Sequence, residues 1–150
     1  MKTVLTTVVA VAVGIITAFL LLIAVELLSA VVHPVPEGFG HTPEEMCRHV
    51  ENYPNWVLMA VVPMWGATAF VSVWLAGKIG HLRSVFGVGT LLLAAVTANI
   101  AMLPYSSWFR ITSPLAALVA IAAAGRMTVV RTVATEAANP IGKDLPSDKD

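Results

Sequence analysis

The sequence predicts an all-α protein: a membrane-embedded antiparallel four-helix bundle with a short external amphipathic helix between helices 1 and 2. Three observations carry this reading. The 150-residue chain is 57% hydrophobic and only 12% charged, with a mean hydropathy of +0.81, whereas charged residues make up about a quarter of a typical soluble domain. Its charge-free windows are long enough to cross a bilayer. Its basic residues are also unevenly divided between the two ends of the expected spans.

Thr3 to Val25 holds 23 uncharged residues, Asn52 to Gly77 holds 26, Ser84 to Phe109 holds 26 and Ile111 to Gly125 holds 15. A helix needs about 20 residues to cross roughly 30 Å of hydrocarbon, so the first three windows suffice alone. The fourth is extended at one end by Ser107, Trp108 and Phe109, with Arg110 snorkelling to the headgroups, and at the other by Met127 to Val130. The expected spans lie near 4–32, 55–78, 84–103 and 107–130 within one domain, 1–138. The first is read as a retained span, because its apolar run is too long for a signal peptide and no clear A-x-A site follows. The polar tail 139–150, "NPIGKDLPSDKD", is expected to be disordered and cytoplasmic.

With four alternating helices, Lys2, Lys78, Arg83, Arg126, Arg131, Lys143 and Lys149 fall on one side, and Arg48 and Arg110 on the other. Seven against two places both termini in the cytoplasm of a multi-pass protein of a bacterial inner (plasma) membrane. The 33–54 loop is then external. Short connections at 78–84 and 104–107 make consecutive helices antiparallel neighbours.

Within that loop, "HTPEEMCRHVENYP" carries a helix start: Thr42 as N-cap, Pro43 at the first helical position and Glu45 three residues after the cap. The pattern predicts a helix over 43–52. Met46, Val50 and Tyr53 form its apolar stripe, opposite Glu44, Arg48, Glu51 and Asn52.

Small residues at four-residue spacing predict the packing faces: Ala10, Gly14 and Ala18 on the first helix, Thr68, Ser72, Ala76 and Gly80 on the second, and Ala116, Ala120 and Ala124 on the fourth. Continuing the first row by fours reaches Leu22, Glu26 and Ala30. That reading places the Glu26 carboxyl on the packing face, since exposing it to lipid costs about 2.5 kcal/mol or more. Glu26 lies seven residues before His33, roughly 10 Å below the outer surface. Asn99, Trp65 and Ser113 share that depth on the other helices, so the four residues are the candidate intramembrane polar cluster. A hydrogen bond from Glu26 to Asn99, or next to Trp65 or Ser113, is expected.

Other chemistries find little support. The single cysteine, Cys47, precludes an internal disulfide or a cysteine-based metal cluster. Cys47 and His49 point about 200° apart on a helix, so no metal is assigned, and His41, Glu45 and His49 are only weak candidates without a recognised ligand spacing. No cofactor pattern is present, and the zero net charge argues against a nucleic-acid partner.

The glutamate late in the first span, the "HPVPEGFG" exit, the Trp65, Gly66, Ala67 and Phe70 pattern and "ANIAMLPYSSWF" together resemble a group of small bacterial four-helix membrane proteins usually called hypothetical. The resemblance spans about residues 8 to 127 and implies the fold rather than an activity. Vitamin K epoxide reductase-like enzymes need paired cysteines that this chain lacks. Three function classes remain. The first is a non-catalytic membrane subunit or scaffold, whose partners are membrane lipids, a second copy or another membrane protein. The second is an oligomeric proton- or cation-linked transporter or channel using Glu26. The third is a lipid- or quinone-binding protein or enzyme at the outer leaflet. The absence of a catalytic constellation leans away from an enzyme.

Overall fold

The computed structural model describes residues 2–138, with side chains from 3 to 134. Met1 and the expected disordered tail 139–150 lie outside the described residues. Five helices follow one another: α1 (Lys2–Val32), α2 (Pro43–Glu51), α3 (Asn55–Ile79), α4 (Leu82–Met102) and α5 (Ser107–Ala138). Four of them, all but α2, are long and apolar enough to cross a membrane. α5 continues past residue 130, where the sequence reading ended the fourth span.

α3 is the central element. It packs most extensively against α5 and α1 and also meets α4, which in turn contacts α5 and α1. Two apolar clusters form the interior. One gathers Val25, Val57, Leu58, Val61, Trp65, Ile100 and Phe109 towards the α2 end, and the other gathers Val73, Ala76, Val85, Val88 and Ala124 towards the opposite end. At the second cluster the backbones approach closely. A Cβ on Gly14 would lie 2.9 Å from Val88 Cγ2, 3.1 Å from Ala76 Cβ and 3.2 Å from the Ser72 carbonyl oxygen. Only a residue without a side chain lets α1, α3 and α4 meet at this point.

Outward-facing positions remain strongly apolar, among them Leu5, Phe19, Leu20, Leu27, Val31, Phe86, Leu91 and Val130. In water such a surface would aggregate, and in a bilayer it is the solvated face.

The packing rows differ in part from the four-residue reading. Ala10, Gly14 and Ala18 are buried, but the row continues through Val25 and Ser29, whereas Glu26 and Ala30 are exposed. At about 100° per residue, a step of four advances about 40° around the helix. Four such steps from Ala10 turn Glu26 by about 160°, out of the interface, while Val25 stays near the centre of the buried arc. On α5 the buried row is Phe109, Ser113, Ala117, Ala124 and Thr128; Ala116 and Ala120 lie half-buried at its edge.

α2 begins as its sequence dictates. Thr42 accepts a hydrogen bond from the Glu45 amide at 3.2 Å, and the Glu45 carboxylate accepts from the Thr42 amide at 3.4 Å. That carboxylate also accepts from the Gly40 amide at 2.7 Å. Val50 is buried and Met46 is exposed. The preceding turn needs left-handed backbone at Gly38, φ +78°, and at His41, φ +57°. Gly38 adopts it without steric cost.

Candidate functional site

α1, α3 and α4 do not close on one another along their whole length. Between them lies a cavity of about 640 Å³ whose walls include Leu22, Ile23, Leu92 and Val96, with Glu26, Trp65 and Asn99 as polar-bearing side chains. Its size falls within the range of sites that hold a small organic ligand, and its lining has the usual character of such sites: mostly apolar, with a few polar groups. Glu26 and Asn99 are exposed at its open side. Trp65 forms the inner wall and is only 9% exposed. Its indole packs edge-on against the fully buried Phe109 of α5, with centroids 5.6 Å apart. Its Nε1–H is covered and has no hydrogen-bond partner among the described residues.

That donor is one of six buried side-chain polar atoms without a partner among the described residues, each of which costs about 1–3 kcal/mol if it stays unsatisfied in an apolar setting. The only other polar side chain on this wall of α3, Thr68, donates to the Met64 carbonyl at 2.9 Å and cannot serve as a donor to the cavity.

Three of the four residues expected to cluster therefore share the cavity. The fourth does not: Ser113 is fully buried on α5, outside the lining, with its own hydroxyl unpartnered. Among the described residues no hydrogen bond joins Glu26 to Asn99, Trp65 or Ser113, so the expected direct clasp is not formed. The rotation of Glu26 out of the packing arc explains this: the carboxyl borders an open cavity rather than a closed interface.

Beside the cavity stand two residues that sequence reasoning did not assign to the site. The Tyr105 hydroxyl is pushed up to about 12, first by burial, then by the Glu26 carboxylate and by Tyr53. Tyr53 is raised by burial and by Glu26, while a hydrogen bond with Ser29 of α1 draws it the other way. Both tyrosines adjoin a proline, in "NYP" and "LPYSS", at the boundary of a long helix. Amphipathic aromatics at such boundaries are the available sequence signal.

From Tyr53 the aromatic contacts continue into the 33–54 segment. His33 meets Tyr53 at 4.6 Å and stacks on His49 at 4.4 Å, and His49 meets Phe39 at 5.8 Å. Burial and the adjacent His33 both lower the His49 pKa from its ordinary 6.5. His33, Phe39 and His49 border a smaller cavity of about 290 Å³, which Glu45 and Arg48 also line.

The weak metal candidates do not assemble. The Glu45 carboxylate is engaged by the Gly40 and Thr42 amides, and His41 and His49 each face the Phe39 ring. Among the described residues no three His, Cys, Asp or Glu side chains group as a metal site.

Compared with known proteins, the chain matches no family model, and no curated protein or solved structure shows significant similarity to it. Its function is argued from the site's own geometry.

Proposed function

We propose that the chain is a non-catalytic, multi-pass membrane protein whose α1–α3–α4 cavity seats a membrane-resident amphiphile, such as an isoprenoid quinone or another lipid with an acceptor oxygen in its headgroup. The observation that carries this reading is the apolar cavity of about 640 Å³ with Trp65 on its inner wall; the Trp65 Nε1–H is covered in this packing and has no partner among the described residues. With a small turn of the indole that opens this N–H to the cavity, a carbonyl or ester oxygen of the amphiphile would accept from it. The amphiphile's apolar tail would lie along Leu22, Ile23, Leu92 and Val96 and leave through the open side into lipid. Glu26 and Asn99, at the mouth, offer a carboxyl and an amide to the polar end.

The orientation belongs to the same proposal. Consecutive long helices run antiparallel, both termini lie in the cytoplasm of a bacterial inner membrane, and α2 lies outside. The seven-to-two division of basic residues supports this. The cavity then opens in the outer leaflet.

Extraction of the purified full chain, followed by mass spectrometry and by titration with decylubiquinone, tests the reading. Trp65→Phe keeps the ring and removes the donor. It is expected to weaken binding about fivefold to tenfold, the worth of one hydrogen bond of roughly 1–1.5 kcal/mol, while the protein stays folded. Glu26→Gln keeps a polar headgroup contact and is expected to retain binding better than Glu26→Ala. Binding by Trp65→Phe equal to wild type, or no amphiphile bound by the wild type, refutes the proposal. Proton or cation flux in reconstituted vesicles that vanishes in Glu26→Gln would instead favour the transporter reading.

A further inference from the structure

At the other end of the molecule, a cavity of about 630 Å³ lies between the end of α3, the start of α4 and the far part of α5. Trp65 and Lys78 are thirteen residues apart on α3, about 20 Å along the helix axis, so this cavity is separate from the one around Glu26. Among the described residues Lys78, His81 and Arg131 line it, and no acidic side chain does. The Lys78 ammonium is held over the Trp74 ring, 4.7 Å from its centre. A cation–π contact of this kind fixes the position of the charge without neutralising it. His81 is the N-cap of α4 and makes no side-chain cap hydrogen bond.

Thr128 and Thr132 complete the lining and set the kind of guest. The Thr128 hydroxyl donates to the Ala124 carbonyl at 3.1 Å, and the Thr132 hydroxyl donates to the Thr128 carbonyl at 3.0 Å. With their protons engaged along α5, both offer a guest only lone pairs. The site thus presents cations to an anion and acceptors to hydroxyl donors, while Trp74 adds an apolar flank. Basic pockets between membrane helices on the cytoplasmic side are suited to anionic lipid headgroups.

We propose that this cavity binds the headgroup of an anionic glycerophospholipid bearing free hydroxyls, with phosphatidylglycerol the matching chemistry. The phosphodiester lies against Lys78 and Arg131. The glycerol hydroxyls donate to Thr132 and Thr128, and the acyl chains run along the exposed apolar face of α5. The site makes a specific lipid part of the folded assembly rather than part of its solvent.

The full chain in neutral detergent, mixed with phosphatidylglycerol, with phosphatidylcholine or with inorganic phosphate, tests this by native mass spectrometry and by thermal unfolding. Wild type is expected to retain phosphatidylglycerol in preference to phosphatidylcholine and to gain thermal stability from it, with no comparable gain from inorganic phosphate. Lys78→Gln and Arg131→Gln are each expected to lower phosphatidylglycerol retention about fivefold, the worth of one basic residue at a membrane surface. Arg83→Gln, at the same end but outside the lining, is expected to leave retention unchanged. Equal retention of phosphatidylcholine by wild type overturns the proposal, even if the variants fail to fold. So does equal protection by inorganic phosphate, or a loss in Arg83→Gln as large as that in Lys78→Gln and Arg131→Gln.

Discussion

His33 and His49 stack with ring centroids 4.4 Å apart and planes 21° from parallel, joining the end of α1 to α2. Held this close, the His33 ring adds to burial in disfavouring a charge on His49. Phe39 and Tyr53 close around His49, and Glu45 and Arg48 line the same small cavity.

The first prediction is that acidification loosens this segment. Burial and His33 hold the His49 pKa below 6.5, so the unfolded chain binds more protons than the folded one as pH falls below that value. The stabilisation is therefore complete above 6.5 and is lost as pH falls through the lower folded-state value. Hydrogen exchange over 33–53, corrected for intrinsic rates, is expected to show less protection at about pH 5 than at about pH 7.5. The change is modest, below about tenfold in opening, because His49 is only half-buried. His33→Phe keeps an aromatic stacking partner and removes the second charge. It removes only the smaller of the two causes and is expected to reduce the pH response, whereas His49→Phe removes the titrating group and is expected to abolish it; an unchanged response in His49→Phe contradicts the account.

A second prediction separates two glycines by their surroundings. Gly14→Leu drives a large side chain against Val88, Ala76 and the Ser72 backbone and is expected to destabilise by about 1–3 kcal/mol, the usual range for overpacking. A Cβ on Gly87 meets only Val11 Cγ2, at an ordinary 3.6 Å. Gly87→Ala is therefore expected to be neutral, or stabilising by about 0.5–1 kcal/mol through helix propensity. Denaturation midpoints in one detergent compare the two. Equal losses at both positions would show that the three-helix approach at Gly14 is not tight.

The third prediction concerns orientation. Cys47 is free and half-buried on α2, and the orientation proposed from the basic-residue asymmetry would put α2 outside. A membrane-impermeant maleimide is expected to label it in intact cells once any outer envelope is made permeable. Labelling that requires opening the inner membrane would reverse the topology.

The sequence by itself determined which segments are helices long and apolar enough to cross a membrane, because hydrocarbon excludes charge and leaves each span as an uncharged run. It also determined how α2 starts, since Thr42, Pro43 and Glu45 act through bonds no more than five residues long. The small-residue rows at Ala10, Gly14 and Ala18 were legible as a buried face. Only the tertiary structure decided where that face goes next. Repeated steps of four drift about 40° each around a helix of 3.6 residues per turn, so the row leaves Leu22 and Glu26 for Val25 and Ser29. The same rotation takes Glu26 from the expected clasp to the mouth of a cavity. Ser113 shares its depth but not its direction. The meeting of Glu26, Trp65 and Asn99 at one cavity, near enough to Tyr53 and Tyr105 for Glu26 to act on both, depends on how α1, α3 and α4 diverge beyond their close approach at Gly14. Depth along a helix can be counted in a sequence, but azimuth around it is set by what the neighbouring helices allow.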